Sequence, residues 1–161
     1  MIHPTIPDDS SVLVSITQDT GLFKPIEIQA LREVLDDYHA DNQRSGHRCV
    51  TAEENGQILG FAYFAPAAMT DRSWYLWWIV VRQDVQARGL GSALLKYVEQ
   101  AIESLQGRVL FVETGSLPHY ELTRKFYLKH GYEKHALLKD YYAAGDSMVV
   151  FRKPFPSGGT P

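Results

Sequence analysis

Cysteine is almost absent: the 161 residues hold one, Cys49. A single thiol excludes an intramolecular disulfide framework and any zinc site built from several thiolates. Long apolar runs are missing as well, and none approaches the roughly 20 residues that a helix needs to span a bilayer. The opening Met1-Ile2-His3-Pro4 has no basic stretch followed by an apolar one, so the expectation is no secretory signal and a cytoplasmic protein without membrane association. Basic charge is not in excess either, with 16 Lys and Arg against 19 Asp and Glu, a net charge of −3. Proteins that grip a phosphate backbone usually present a net basic surface, so nucleic acid is not an expected partner. What is present, 45% apolar and 22% charged residues, is the composition of one globular domain. That domain is expected over residues 1–153. The Pro/Gly/Ser-rich stretch 154–161 reads as a disordered tail.

Hydrophobic spacing divides the chain into elements. After a short strand at the start, Asp8-Asp9-Ser10 offers N-cap chemistry ahead of Val12, Leu13 and Ile16, and Gly21 supplies a stop. Pro25 suits the first turn of a second helix in which Leu31, Val34, Leu35 and Tyr38 recur at helical spacing; residues 41–47 then read as a loop. Residues 49–53 and 57–64 flank Asn55-Gly56, a pair that supplies the positive φ angles of a tight hairpin. The almost wholly apolar run 74–81 predicts a central strand covered on both faces. Leu90, Leu94, Leu95, Val98, Ile102 and Leu105 form one helical face ending near Gly107, and residues 109–114 form the next strand. Residues 118–130 predict a helix closed by Gly131, and two final strands, 132–138 and 148–153, enclose a loop containing Gly145. Alternation of strand pairs and crossover helices predicts an α/β fold: a mixed, mostly antiparallel sheet of about six to seven strands with helices on both faces.

The segment 80–93 passes from a buried strand through a polar turn into glycines at the mouth of an amphipathic helix. Backbone N–H groups at a helix N-terminus, added to its positive dipole end, attract anions. Gly89 and Gly91 lack Cβ atoms, so a diphosphate can come close to the backbone there. The dinucleotide fingerprint does not apply, because its third glycine falls on Leu94, and no Gly-Lys-Ser/Thr of a P-loop follows.

Two motifs together resemble the GNAT acetyltransferase superfamily. Gln86, Gly89 and Gly91 match its Arg/Gln-x-x-Gly-x-Gly/Ala turn between fourth strand and third helix, and Phe126-Tyr127 before Gly131-Tyr132 matches its second signature. The hairpin ahead of the turn and the strand pair after it also fit, so that the resemblance covers residues 48–153. It implies acetyl-CoA (coenzyme A) as co-substrate, an amine as acceptor and no metal. The turn Gln86, Ala87, Arg88, Gly89, Leu90, Gly91 and Ser92 would hold the pyrophosphate, with Arg88 either neutralising phosphate or remaining a solvated arginine. The pantetheine arm would lie along Ile79, Val80 and Val81, where family members splay two strands. Tyr127 matches the tyrosine that protonates the leaving thiolate, the alternative being a core aromatic beside Phe126.

An amine must lose a proton before it attacks. Many family members carry a glutamate on the fourth strand for this, but Trp77 and Trp78 stand there. Glu113 shares a strand face with Val109 and Phe111, where desolvation would raise its pKa, and is the candidate base; His119 and water are the alternatives. Residues 111–114 partly resemble the Leu-Glu-Val-Arg strand end of protein N-terminal acetyltransferases, whose following asparagine is replaced here by the longer loop 115–120. Tyr141 and Tyr142 resemble the tyrosine-containing loop with which those enzymes flank a peptide, and join Trp77 as candidate acceptor wall; two packing tyrosines in a hairpin turn is the other reading. Acceptor identity and acyl length stay open, the exposed last strands leave room for a homodimer, and a catalytically silent acyl-CoA-binding or regulatory module is the alternative to an enzyme.

Overall fold

The computed structural model describes residues 1–156. In chain order it contains β1 (Ile2–Pro4), α1 (Ser10–Asp19), α2 (Pro25–Ala40), β2 (Arg48–Glu54), β3 (Gln57–Pro66), β4 (Ser73–Val81), α3 (Leu90–Ser104), β5 (Val109–Gly115), α4 (Glu121–Lys129), β6 (Glu133–Ala143) and β7 (Asp146–Pro154), with short 3₁₀ turns between several of them. The strands hydrogen-bond in the order β1-β2-β3-β4-β5-β7-β6, a seven-stranded sheet. Antiparallel pairs predominate, β4 with β5 being parallel over Ser73–Leu76 and Val109–Val112. This mixed sheet, flanked by helices, is the α/β architecture that the pattern of elements implied.

Met1–Ala65 with Trp78–Val98 make one compact unit. Its core joins Leu13 and Ile16 of α1 to Leu31, Leu35 and Tyr38 of α2, and both sets to Cys49, Phe61 and Tyr63 on the strands. Spacings of three, four and seven residues put each helical set on one face, and that face is what the strands bury. The hairpin between β2 and β3 turns on Asn55 and Gly56, both left-handed with φ of 52° and 73°. Asp9 does not cap α1; its carboxylate accepts the Ile6 N–H (3.0 Å) and closes the 3₁₀ turn Pro7–Asp9 ahead of the helix. At the far end of α2, the exit expected as a loop contains a 3₁₀ turn, Asn42–Ser45.

Pro66–Trp77 with Glu99 onward make the second unit. Here β5 and β7 pair from Val109↔Pro154 to Gly115↔Met148, and β6 lies outside β7 as the last strand of the sheet. Three sequence expectations change. The helix anticipated from residue 118 begins at Glu121, because Pro118–Tyr120 form a 3₁₀ turn first. The stretch 139–143, expected in a loop, belongs to β6 as a wide bulge: pairing jumps from Leu138↔Met148 to Ala143↔Asp146. Ser147 holds that bulge, its hydroxyl accepting the Asp140 N–H (3.0 Å) while its own N–H donates to Ser116 Oγ (3.0 Å). Of the stretch expected as a tail, Pro154 instead closes β7 and Phe155 is buried, its N–H donating to Arg108 O (2.8 Å). The rest of that stretch, 157–161, lies outside the described residues.

Candidate active site

The turn after β4 is a 3₁₀ segment, Gln83–Arg88, followed by Gly89 in the left-handed conformation (φ 80°). A β-carbon at Gly89 would meet nothing within 4 Å, so conformation rather than crowding selects glycine there. Leu90 opens α3, Gly91 and Ser92 complete its first residues, and the Ala93 N–H donates to Gly89 O (3.1 Å). Amides in the first turn of a helix point out of its end, which is the anion-binding geometry the motif requires. Gln86 ties the turn to the strand through Nε2–H donating to Val81 O (3.1 Å), with Ala87 and Arg88 following it. The Arg88 guanidinium pairs with Glu54 Oε2 at the hairpin (2.9 Å). Beside the turn opens a cleft of about 610 Å³, lined in part by Leu59, Val85, Arg88, Gly89, Leu90 and Tyr97.

The strand end leading into this turn is held close to its neighbour. Arg82 N–H donates to Leu59 O (2.7 Å), and a β-carbon on Gly60 would stand 2.7 Å from Val80 O. Val80 is buried, while Ile79 and Val81 are half-buried. Parallel pairing of β4 with β5 ends at Leu76↔Val112, although β5 runs on to Gly115 along β7. Trp77 on β4 is 45% exposed, so the strand is not sealed on both faces as expected.

In the second unit, Tyr127 sits in α4 with its ring buried between Tyr132 (centroids 5.6 Å) and Phe151 (5.4 Å). No described residue hydrogen-bonds its hydroxyl, yet no buried side-chain polar atom among the described residues lacks a partner, so the Oη is not sealed. Desolvation pushes its pKa above the ordinary tyrosine value, so the proton stays on the oxygen at neutral pH. Glu113 lies on β5 opposite Val150 and is exposed at its surface. Desolvation raises its carboxyl above the usual carboxylate value, and its charge in turn contributes to the raised pKa of Tyr75. Tyr75 and Phe111, aromatic neighbours on that face, stand 5.7 Å apart.

His119 occupies the 3₁₀ turn Pro118–Tyr120, exposed, with its ring against Tyr120 (4.3 Å). Tyr141 and Tyr142 project from the β6 bulge, 58% and 45% exposed, with rings 5.1 Å apart and nearly perpendicular. Glu113, Trp77 and the two tyrosines are thus solvent-facing side chains of one unit, and the turn 86–92 with the end of β4 belongs to the other. Two ordering residues escaped the sequence reading. Arg124 donates through Nη1 to Gly115 O (2.8 Å) and Leu117 O (2.9 Å), shaping the loop where the family asparagine is missing. Glu54 holds Arg88 across 34 positions, and nothing local in the sequence signals it.

Among the described residues, no cluster of His, Cys, Asp and Glu could hold a metal ion, and no helix is long and apolar enough to cross a membrane. The chain is 27% identical over 113 residues to an uncharacterized N-acetyltransferase of Methanocaldococcus jannaschii, covering 68% of each. It is 32% identical to a crystal structure assigned to the GNAT acetyltransferases from Desulfovibrio desulfuricans, covering 96% of this chain and 98% of that one with a TM-score of 0.91. An aminoglycoside 6'-N-acetyltransferase complexed with coenzyme A shares the fold at 18% identity, with 96% of each chain covered and a TM-score of 0.78. The model of the acetyltransferase (GNAT) domain matches residues 45–134, more than half of the sequence, and the chain belongs to that family.

Proposed function

We propose that this GNAT N-acetyltransferase transfers the acetyl group of acetyl-CoA to a primary amine by direct attack, with Tyr127 as general acid and Glu113 as general base. Acetyl-CoA supplies the activated thioester. The turn Gln86–Ser92 fits its diphosphate, since a left-handed glycine leads directly into a helix N-terminus and nothing crowds the Gly89 position. Glu113 takes a proton from the acceptor nitrogen; its raised pKa makes the carboxylate a stronger base than an ordinary one. Trp77, Tyr141 and Tyr142 offer apolar wall and hydroxyl groups to the acceptor.

The observation that carries the reading is Tyr127: a buried ring, a hydroxyl that no described residue hydrogen-bonds, and a pKa held above the ordinary tyrosine value. A raised pKa makes a weaker acid, but a thiolate leaving into the same desolvated surroundings is a stronger base, so the match between the two is kept. Release of CoA is measured over a panel of primary amines and N-terminal peptides, and thermal shift reports acetyl-CoA binding. At about 100-fold excess over Kd, binding stabilises the fold by about 2.7 kcal/mol. Tyr127→Phe is expected to slow CoA release by about 10²- to 10⁴-fold while the thermal shift persists. A phenylalanine variant as fast as the natural chain removes Tyr127 from the chemistry. Binding without turnover on any amine favours a silent acyl-CoA-binding module instead.

A further inference from the structure

Beneath Tyr127, two side chains far apart in sequence converge on one carboxylate. Glu99 of α3 accepts the Tyr132 hydroxyl on Oε2 (2.6 Å) and the Lys153 ammonium on both oxygens (3.2 and 3.1 Å). Its side chain is only 15% exposed. Lys153 Nζ also donates to His130 O at the end of α4 (2.9 Å) and stands 5.3 Å from the Tyr132 ring centroid. Tyr132 is buried, and its backbone N–H donates to the Tyr127 carbonyl (3.1 Å). Each member therefore touches the frame of Tyr127: Tyr132 through backbone and ring, Lys153 through the end of α4, and Glu99 through both. Phe151, another ring against Tyr127, lies two residues before Lys153 on β7 and so on the same sheet face.

Stability alone does not explain such a cluster. A largely buried ion pair seldom outperforms an apolar pair of similar volume, but losing one partner leaves the others unpaired and is costly. Its distinctive property is directional, since three hydrogen bonds from two donor groups on one carboxylate admit few arrangements, whereas apolar packing admits many. We propose that Glu99, Tyr132 and Lys153 are positioning residues that hold the Tyr127 ring in one orientation. This rests on the role of Tyr127 as general acid, where an error of about 1 Å can cost a hundredfold in rate.

The test uses the full chain loaded with acetyl-CoA, labelled with ¹³C at the tyrosine ring carbons, and identifies the Tyr127 signals by their loss in Tyr127→Phe. Expected are slow ring flipping and two separate signals for the paired ring positions in the natural chain. Glu99→Gln and Tyr132→Phe are expected to merge them. The second variant keeps the ring and its packing, so it reports even if Glu99→Gln does not fold. In the CoA-release assay both should lower kcat about tenfold with KM for acetyl-CoA within about twofold, and Lys153→Arg should retain more activity than Lys153→Met. Unchanged Tyr127 signals in Tyr132→Phe overturn the proposal whether or not an active acceptor is in hand. So does an inactive Tyr127→Phe beside a Tyr132→Phe of unaltered kcat. A fully active Tyr127→Phe instead defeats the general-acid reading, while the ring signals still decide whether the cluster orients that residue.

Discussion

Glu113 shows how a single residue's surroundings set its chemistry. It lacks an ion-pair partner among the described residues, and desolvation lifts its carboxyl pKa. As a base it must be ionised, so activity is expected to fall on the acid side at a pH above the ordinary carboxylate range. Glu113→Gln should erase that acid limb and reduce the rate most where the acceptor is chiefly ammonium. The loss should shrink as pH climbs toward the amine's own pKa, where neutral amine is available without help. A pH–rate profile for the glutamine variant that parallels the natural one assigns the proton to another acceptor. The candidacy of Glu113 was legible in the sequence, because strand alternation places it beside Phe111. Arg88 was legible only in part: its position in the turn was evident, but its ion pair with Glu54 joins a hairpin to a turn 34 residues away.

At the scale of elements, the approach of β3 to the end of β4 is the most demanding contact near the candidate cofactor turn. Gly60 faces Val80 O, and a β-carbon there would stand 2.7 Å from that backbone oxygen, a distance that only backbone movement relieves. Gly60→Ala is expected to cost about 1–3 kcal/mol, by analogy with overpacking in cores. For a chain of this size that lowers Tm by about 2–4 °C per kcal/mol, readable by calorimetry. Because Val80 lies in the strand that leads into the turn, acetyl-CoA affinity should fall with it. A variant with unchanged Tm and affinity would show that β4 shifts freely. The sequence offers Gly60 as an ordinary glycine inside an apolar strand, and the close approach depends on which strand lies beside it. The β6 bulge has the same character: residues 139–142 carry turn-like composition, and only pairing across β7 through Ser147 extends the strand past them.

For the whole molecule, stability against pH draws on two half-buried histidines. His47 Nδ1 lies 2.7 Å from the buried Tyr63 hydroxyl, and desolvation lowers its pKa from the ordinary 6.5. Between the folded value and 6.5 the unfolded chain binds more protons, so this residue's contribution is present above 6.5 and lost as pH falls. His3 has the opposite sign: hydrogen bonds to the Pro4 carbonyl and then the Glu53 carboxylate raise its pKa, and its contribution fades as pH rises. The slope of Tm between pH 5 and 7 should therefore be smaller on the acid side in His47→Gln than in the natural chain, His3 being common to both. Equal slopes would show that His47 titrates alike in the folded and unfolded states. Cys49 is buried in the same unit, and desolvation pushes its thiol up to about 12, which keeps it protonated and unreactive at neutral pH.

Periodicity, turn chemistry and two short motifs were sufficient to determine the order of elements and the α/β class, and to single out Gln86–Ser92 and Tyr127 as candidates. Each of these is encoded within a few residues: apolar spacing of three or four marks a helix face, Asn-Gly marks a hairpin, and glycines before an apolar helix mark an anion site. Tertiary structure alone decided that Glu99, Tyr132 and Lys153 meet, that Arg124 shapes the loop after β5, and that Trp77 remains exposed on a strand with the composition of a sealed one. These depend on partners up to 54 positions apart and on how far neighbouring strands stay paired. Local composition constrains the backbone conformation of a segment, but side-chain partners and coverage arise only when distant segments are brought together.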